Sequence, residues 1–169
     1  MQQSFSRKEV IEKITPVIEN ASMKNGLIPI EIDFQKESGK WFLRIFVYCN
    51  DHPVSLDDCE KLTNTIDDFL NEIIPVKYYL EVSSPGLERK FKSLQEFTIF
   101  KGKKIKLKLK NPLSEENNTK VFSGYIEDFQ KNIGLTFKNA ENDEIFIVTE
   151  DNIASAQLIF DDYKGEQHD

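Results

Sequence analysis

Histidine and cysteine are scarce in this chain, with two of each in 169 residues. Cys49 and Cys59 form no CxxC pair, and two thiols with two histidines make no convincing zinc site. No metal or other cofactor is expected. The shortage bears on catalysis too, because a serine nucleophile needs a base held by an orienting group. His168 is next to last, and His52 sits in the turn Asn50-Asp51-His52-Pro53, where it reads as a solvated side chain. GxSxG is absent, so Ser83 and Ser84 in Glu81-Val82-Ser83-Ser84-Pro85-Gly86 read poorly as hydrolase nucleophiles. Gly86 and Gly102 stand alone, which excludes a phosphate-cradling P-loop. The carboxylate pairs Asp57-Asp58 and Asp67-Asp68 fall on the wet face of a helical pattern. No apolar run approaches the ~18 residues of a membrane span. The opening MQQSFSRKEV has no apolar h-region, so no signal peptide is expected. So few cysteines suit a reducing cytosol. The expectation is a cytoplasmic, non-enzymatic protein with no membrane contact.

What is present describes a soluble globular chain: 39% apolar and 30% charged residues. A chain this long forms one ordinary domain or two small ones. It buries roughly 70% of its extended surface and needs no disulfide or metal to fold. The net charge of −7 is unevenly spread. Residues 1–86 carry −5, residues 87–112 carry +7, and residues 113–169 carry −9. An acidic protein thus holds one concentrated basic segment, which marks where an anion would dock.

Periodicity divides the chain. Ser6 and Glu9 fit a capping box before Val10, Ile11, Ile14, Val17, Ile18 and Ala21 at helical spacing. Pro16 inside that pattern predicts a kink or two shorter pieces. Residues 27–35 alternate, Lys36-Glu37-Ser38-Gly39 reads as a hairpin loop, and residues 40–48 are apolar on both faces, as in a central strand. Ser55 caps a second helix with the stripe Leu56, Cys59, Leu62, Ile66, Phe69, Leu70 and Ile73, in which Cys59 reads as a buried thiol. A strand over 76–82 completes an α-β-β-α-β domain over residues 1–84. Residues 85–102 form a junction, with Ser93 capping a short helix through Phe100. Short strands at 103–109, 121–129, 133–137, 144–149 and 155–160 predict a small barrel over 103–162. Residues 163–169 read as a disordered acidic tail.

The junction raises the functional question. A strand ends at Ser83-Ser84-Pro85-Gly86, and Arg89, Lys90 and Lys92 follow at once. Proline and glycine suit the central positions of a type II turn at 84–87, which would place Gly86 at positive φ. That accounts for neither the serines nor the cations. Hydroxyls and backbone N–H groups beside Arg and Lys suit phosphate contact. Further on, KGKKIKLKLK alternates Ile105, Leu107 and Leu109 with Lys104, Lys106, Lys108 and Lys110. On a strand these lysines share one face, and Lys101 and Lys103 extend the patch. The lysine face is either a solvated barrel edge or a surface for a polyanion, of which RNA is the foremost in a cytosol. The candidate site is Ser83, Ser84, Gly86, Arg89, Lys90, Lys92, Lys101, Lys103, Lys104, Lys106 and Lys108.

YYLEVSSPGLERKF (78–91) and VSLDDCEKLTNTIDDFL (54–70) closely resemble the bacterial ribosome maturation factor RimP family. Glu88 and Lys90 stand where that family often has Asp and Pro. The resemblance implies an α+β N-terminal domain and an SH3-like or Sm-like C-terminal barrel. It implies a non-enzymatic assembly factor, expected to be monomeric, that binds the immature 30S subunit. Its partners would be 16S rRNA and a small-subunit ribosomal protein near the future decoding region. A protein-binding adaptor, using the small barrel and the acidic surfaces, is the other reading the sequence leaves open.

Overall fold

The computed structural model describes residues 5–159, so the acidic tail expected at 163–169 lies outside the described residues. Two units divide between Pro85 and Gly86.

In the first unit, helix α1 (Arg7–Lys24) begins where the Ser6 hydroxyl accepts from the Glu9 N–H. It runs unbroken through Pro16, so the two-piece expectation is corrected. Its stripe of Val10, Ile14, Ile18 and Ala21 is buried. Strands β1 (Ile28–Glu37) and β2 (Lys40–Tyr48) form an antiparallel hairpin. Its two-residue loop has Ser38 at φ 52° and Gly39 at φ 80°. That is the paired positive φ of a type I′ turn, whose twist matches the strands it joins. Helix α2 (Leu56–Ile73) carries a complete capping box between Ser55 and Asp58. It crosses over to β3 (Tyr78–Ser83), which pairs parallel to β2. A parallel pair needs such a crossover. The sheet order is β1-β2-β3, with β2 central as its composition requires. Leu43, Ile45 and Val47 on one face of β2 join Leu62, Ile66 and Leu70 of α2 in the core. Leu56 and Phe69 of the predicted stripe are exposed instead, and Cys59 is only half-buried.

In the second unit, a short helix α3 (Gln95–Ile99) precedes β4 (Lys104–Leu109), β5 (Val121–Gln130), β6 (Gly134–Asn139), β7 (Ile145–Val148) and β8 (Ile153–Leu158). A 3-10 turn at Glu150–Asn152 links the last two strands. Leu94 is the N-cap of this helix and makes no side-chain cap bond, so Ser93 does not take the capping role expected of it. The strands form one antiparallel sheet in the order β7-β6-β5-β4-β8. Among the described residues no ladder joins β7 to β8. The inner face buries Ile105, Leu107, Leu109, Ile126, Leu135 and Phe137. Phe91, Phe97, Phe100 and Phe129 pack ring on ring with centroids 5.0–5.4 Å apart. Elsewhere on the sheet, Gly124 admits the close approach of β6: a Cβ there would strike the Lys138 carbonyl oxygen and lie 2.6 Å from the Phe137 ring.

Candidate nucleic-acid interface

The lysine alternation resolves as strand periodicity demands. Ile105, Leu107 and Leu109 are buried, while Lys106 and Lys108 are exposed and Lys104 is half-exposed. Same-face neighbours along one strand lie about 6.8 Å apart, two residues of rise. Lys110 falls beyond β4, after a bulge at Lys108/Leu109.

The register adds what the sequence alone does not show. Residues 89–91 lie antiparallel along the free side of β8. The Phe91 N–H donates to the Ala156 carbonyl at 2.8 Å, and the Leu158 N–H donates to the Arg89 carbonyl at 2.9 Å. Lys90 thus bridges to Gln157, Gln157 pairs with Lys106, and Lys106 pairs with Ser123. Directly opposed residues in an antiparallel sheet share a face. One cross-strand row therefore reads Lys90–Gln157–Lys106–Ser123. A second runs Lys104–Tyr125–Lys138, and a third Ser155–Lys108–Val121. Five lysines and several hydrogen-bonding groups share this face, and no carboxylate occupies a position in these rows. Lys138 lies 4.0 Å from Asp143. Among the described residues no ion pair holds Lys90, Lys104, Lys106 or Lys108.

The same geometry corrects the expectation for Arg89. Period two places Lys90 outward and its neighbours Arg89 and Phe91 inward. The Arg89 side chain is 7% exposed and meets Glu96, itself 1% exposed. Nε donates to Oε1 at 2.6 Å and an Nη donates to Oε2 at 3.2 Å. A guanidinium held in this way does not face an outside phosphate. Glu96 also accepts the backbone N–H groups of Lys92 at 2.8 Å and Ser93 at 3.1 Å, so it fastens the approach to α3.

The remaining candidates lie outside the lysine rows. Lys101 pairs with Asp128 at 3.4 Å. The Asp128 carboxyl is held below the usual carboxylate range by the Phe129 N–H and then by Lys101. Lys103 is exposed just before β4, and Lys92 is exposed after the bridge. Ser83 and Ser84 are exposed at the end of β3 in the first unit. Gly86 opens the second unit and does not adopt positive φ. The hydrogen-bonded turn is Gly86–Arg89, closed by the Arg89 N–H at 3.2 Å, rather than the type II turn expected at 84–87.

His52 is exposed, as expected of a turn histidine, and it also makes two side-chain contacts. Its Nδ1 lies 3.5 Å from the buried Cys49 thiol and its Nε2 lies 3.2 Å from Asp58 Oδ2. Asp58 is already committed to the helix cap, accepting the Ser55 N–H at 3.0 Å. Cys49 is 6% exposed. The trio links the loop after β2 to the first turn of α2.

Sequence reasoning missed Lys138, Gln157 and Ser123. They reach the lysine face through cross-strand register, for which no local signal exists.

A family model described as the RimP N-terminal domain matches residues 17–88. The match supports membership of the RimP family through its N-terminal domain. The match encloses the α2 segment at 54–70 and residues 78–88 of the 78–91 stretch that carry the resemblance. It ends one residue before the segment that joins β8, so the lysine rows lie outside the RimP N-terminal match.

Proposed function

We propose that this protein is a non-enzymatic ribosome assembly factor that binds the immature 30S subunit and promotes its maturation. The RimP N-terminal domain over residues 17–88 is the observation that carries this reading. The second unit supports it with the carboxylate-free rows that join Lys90, Lys104, Lys106, Lys108 and Lys138. Such a face meets the phosphates of 16S rRNA through cations and hydroxyls, which position a backbone without reading its sequence. Lys92, Lys101 and Lys103 border it. Ser83, Ser84 and Gly86 belong to the reading as shapers of the junction, and the second unit as an SH3-like or Sm-like barrel. The factor acts in the cytoplasm as a monomer, beside a small-subunit ribosomal protein.

Co-sedimentation with immature and mature 30S particles over a salt series tests the proposal. The expected result is preferential binding to the immature particle that weakens with salt and with Lys104→Glu/Lys106→Glu. No binding to either particle, or a flat salt response, would overturn it.

A further inference from the structure

Of the two outer strands of the second sheet, β8 is covered by residues 89–91, whereas among the described residues nothing pairs with the outer edge of β7. We infer that the open edge of β7 is a docking site for a basic, extended polypeptide segment, which adds to the sheet as a further strand.

The phase of the β6–β7 ladder exposes the backbone needed. The Asn139 N–H donates to the Glu144 carbonyl at 2.8 Å, so these two residues form a hydrogen-bonding pair. Pairs alternate along an antiparallel ladder, which makes Lys138/Ile145 and Thr136/Ile147 the non-hydrogen-bonded ones. The N–H and C=O groups of Ile145 and Ile147 therefore point away from β6. Among the described residues no turn, cap or loop bond takes them up. The side chains of the same two residues are each 58% exposed.

Open edges are normally blunted with lysine, proline or a bulge. The strand Ile145-Phe146-Ile147-Val148 has none of these. It is bracketed instead. Glu141, Asp143 and Glu144 precede it, Glu150 and Asp151 follow it, and residues 140–151 contain no Lys or Arg. This charge selects the occupant. A second copy would bring its own carboxylates against these, and RNA would bring phosphates. A chain with apolar residues at alternate positions and cations at both ends satisfies the backbone, the two isoleucines and the five carboxylates together.

The inference stands independently of the ribosomal reading, and its test needs no ribosome. The 15N-labelled full chain is titrated with the synthetic peptide Ac-KRVTVTVRK-NH2 and with its acidic counterpart Ac-EEVTVTVEE-NH2. The expected result is saturable shifts centred on the amides of Ile145 and Ile147, with the acidic peptide at least about tenfold weaker. Ile147→Pro removes an outward N–H that the sheet does not use, a position where an edge strand accepts proline. It should abolish the shifts while the β4 and β5 resonances stay in place. Ile145→Lys/Ile147→Lys keeps the backbone and should weaken binding by charge and lost apolar contact. No saturable shift at β7, equal affinity for the two peptides, or concentration-dependent self-pairing through β7 would overturn the inference.

Discussion

Arg89 and Glu96 form a two-point ion pair in which both side chains are almost wholly withdrawn from water. Removing one partner from such a pair strands a buried charge, at a cost of about 3–5 kcal/mol. Glu96→Gln keeps the shape and should lower the stability of the second unit by that order. Trp41 is the only tryptophan and lies in β2 of the first unit, stacked on Phe34 at 4.7 Å. In urea titrations the far-UV circular dichroism midpoint should fall while the Trp41 fluorescence midpoint holds. Arg89→Met/Glu96→Leu should recover only part of the loss, because the Lys92 and Ser93 N–H groups lose their acceptor.

Gly124 should tolerate no side chain. Its Cβ would strike the backbone oxygen of Lys138, which cannot give way without breaking the β5–β6 ladder. Overpacking of this kind costs about 1–3 kcal/mol or more. Gly124→Ala should reduce the dichroism midpoint and leave the Trp41 signal unmoved. A variant as stable as the parent would contradict the close approach.

On the lysine face, charge reversal at Lys90 or Lys106 should weaken binding to the immature 30S particle without unfolding the chain. If about five phosphates are engaged, the log–log slope of affinity against salt is roughly −4. Each lysine removed should flatten it by about one unit. Arg89→Glu should behave differently, lowering stability before it lowers binding. Thermal melts beside the salt series separate the two, and an Arg89→Glu protein that is stable but fails to bind would contradict the buried assignment.

Acid should loosen the first unit through Asp58 and Glu37. The Ser55 N–H holds the Asp58 carboxyl below the usual carboxylate range, and Arg44 does the same for Glu37. Folded values below the unfolded ones give stability that is complete above the unfolded pKa of about 4 and lost as pH falls through the folded values. Asp58→Asn keeps an acceptor for the Ser55 N–H but cannot titrate. Its urea midpoint, followed by Trp41, should vary less between pH 6 and pH 3 than that of the parent.

Most elements were legible in the sequence because they rest on local periodicity. Val10, Ile14 and Ile18 mark α1, and Ile105, Leu107 and Leu109 mark β4, within single windows. Arg89 was misread for lack of context. A cation beside other cations looks like an anion site until strand phase turns it toward Glu96, seven residues on. Pro16 lacks the N–H that bonds back along a helix, and the packed stripe of α1 outweighs that local loss. Lys138 became a neighbour of Lys104 only through Tyr125, a relationship that spans two ladders. Pairing of distant strands is set by the whole sheet, so the lysine rows had no signature in any short stretch.

The bond between residues 89–91 and β8 joins the first strand-like segment of the second unit to its last strand. That has a consequence for folding during synthesis. The first sheet has all its strands once Ser83 is made. The second cannot close until the chain has been extended through Leu158, and the loop it must close spans more than sixty residues. Such non-local closure is slow. The two units should therefore form one after the other as the chain is made. Until β8 arrives, Arg89 has not yet been drawn inward, and the basic segment around it stays open to water.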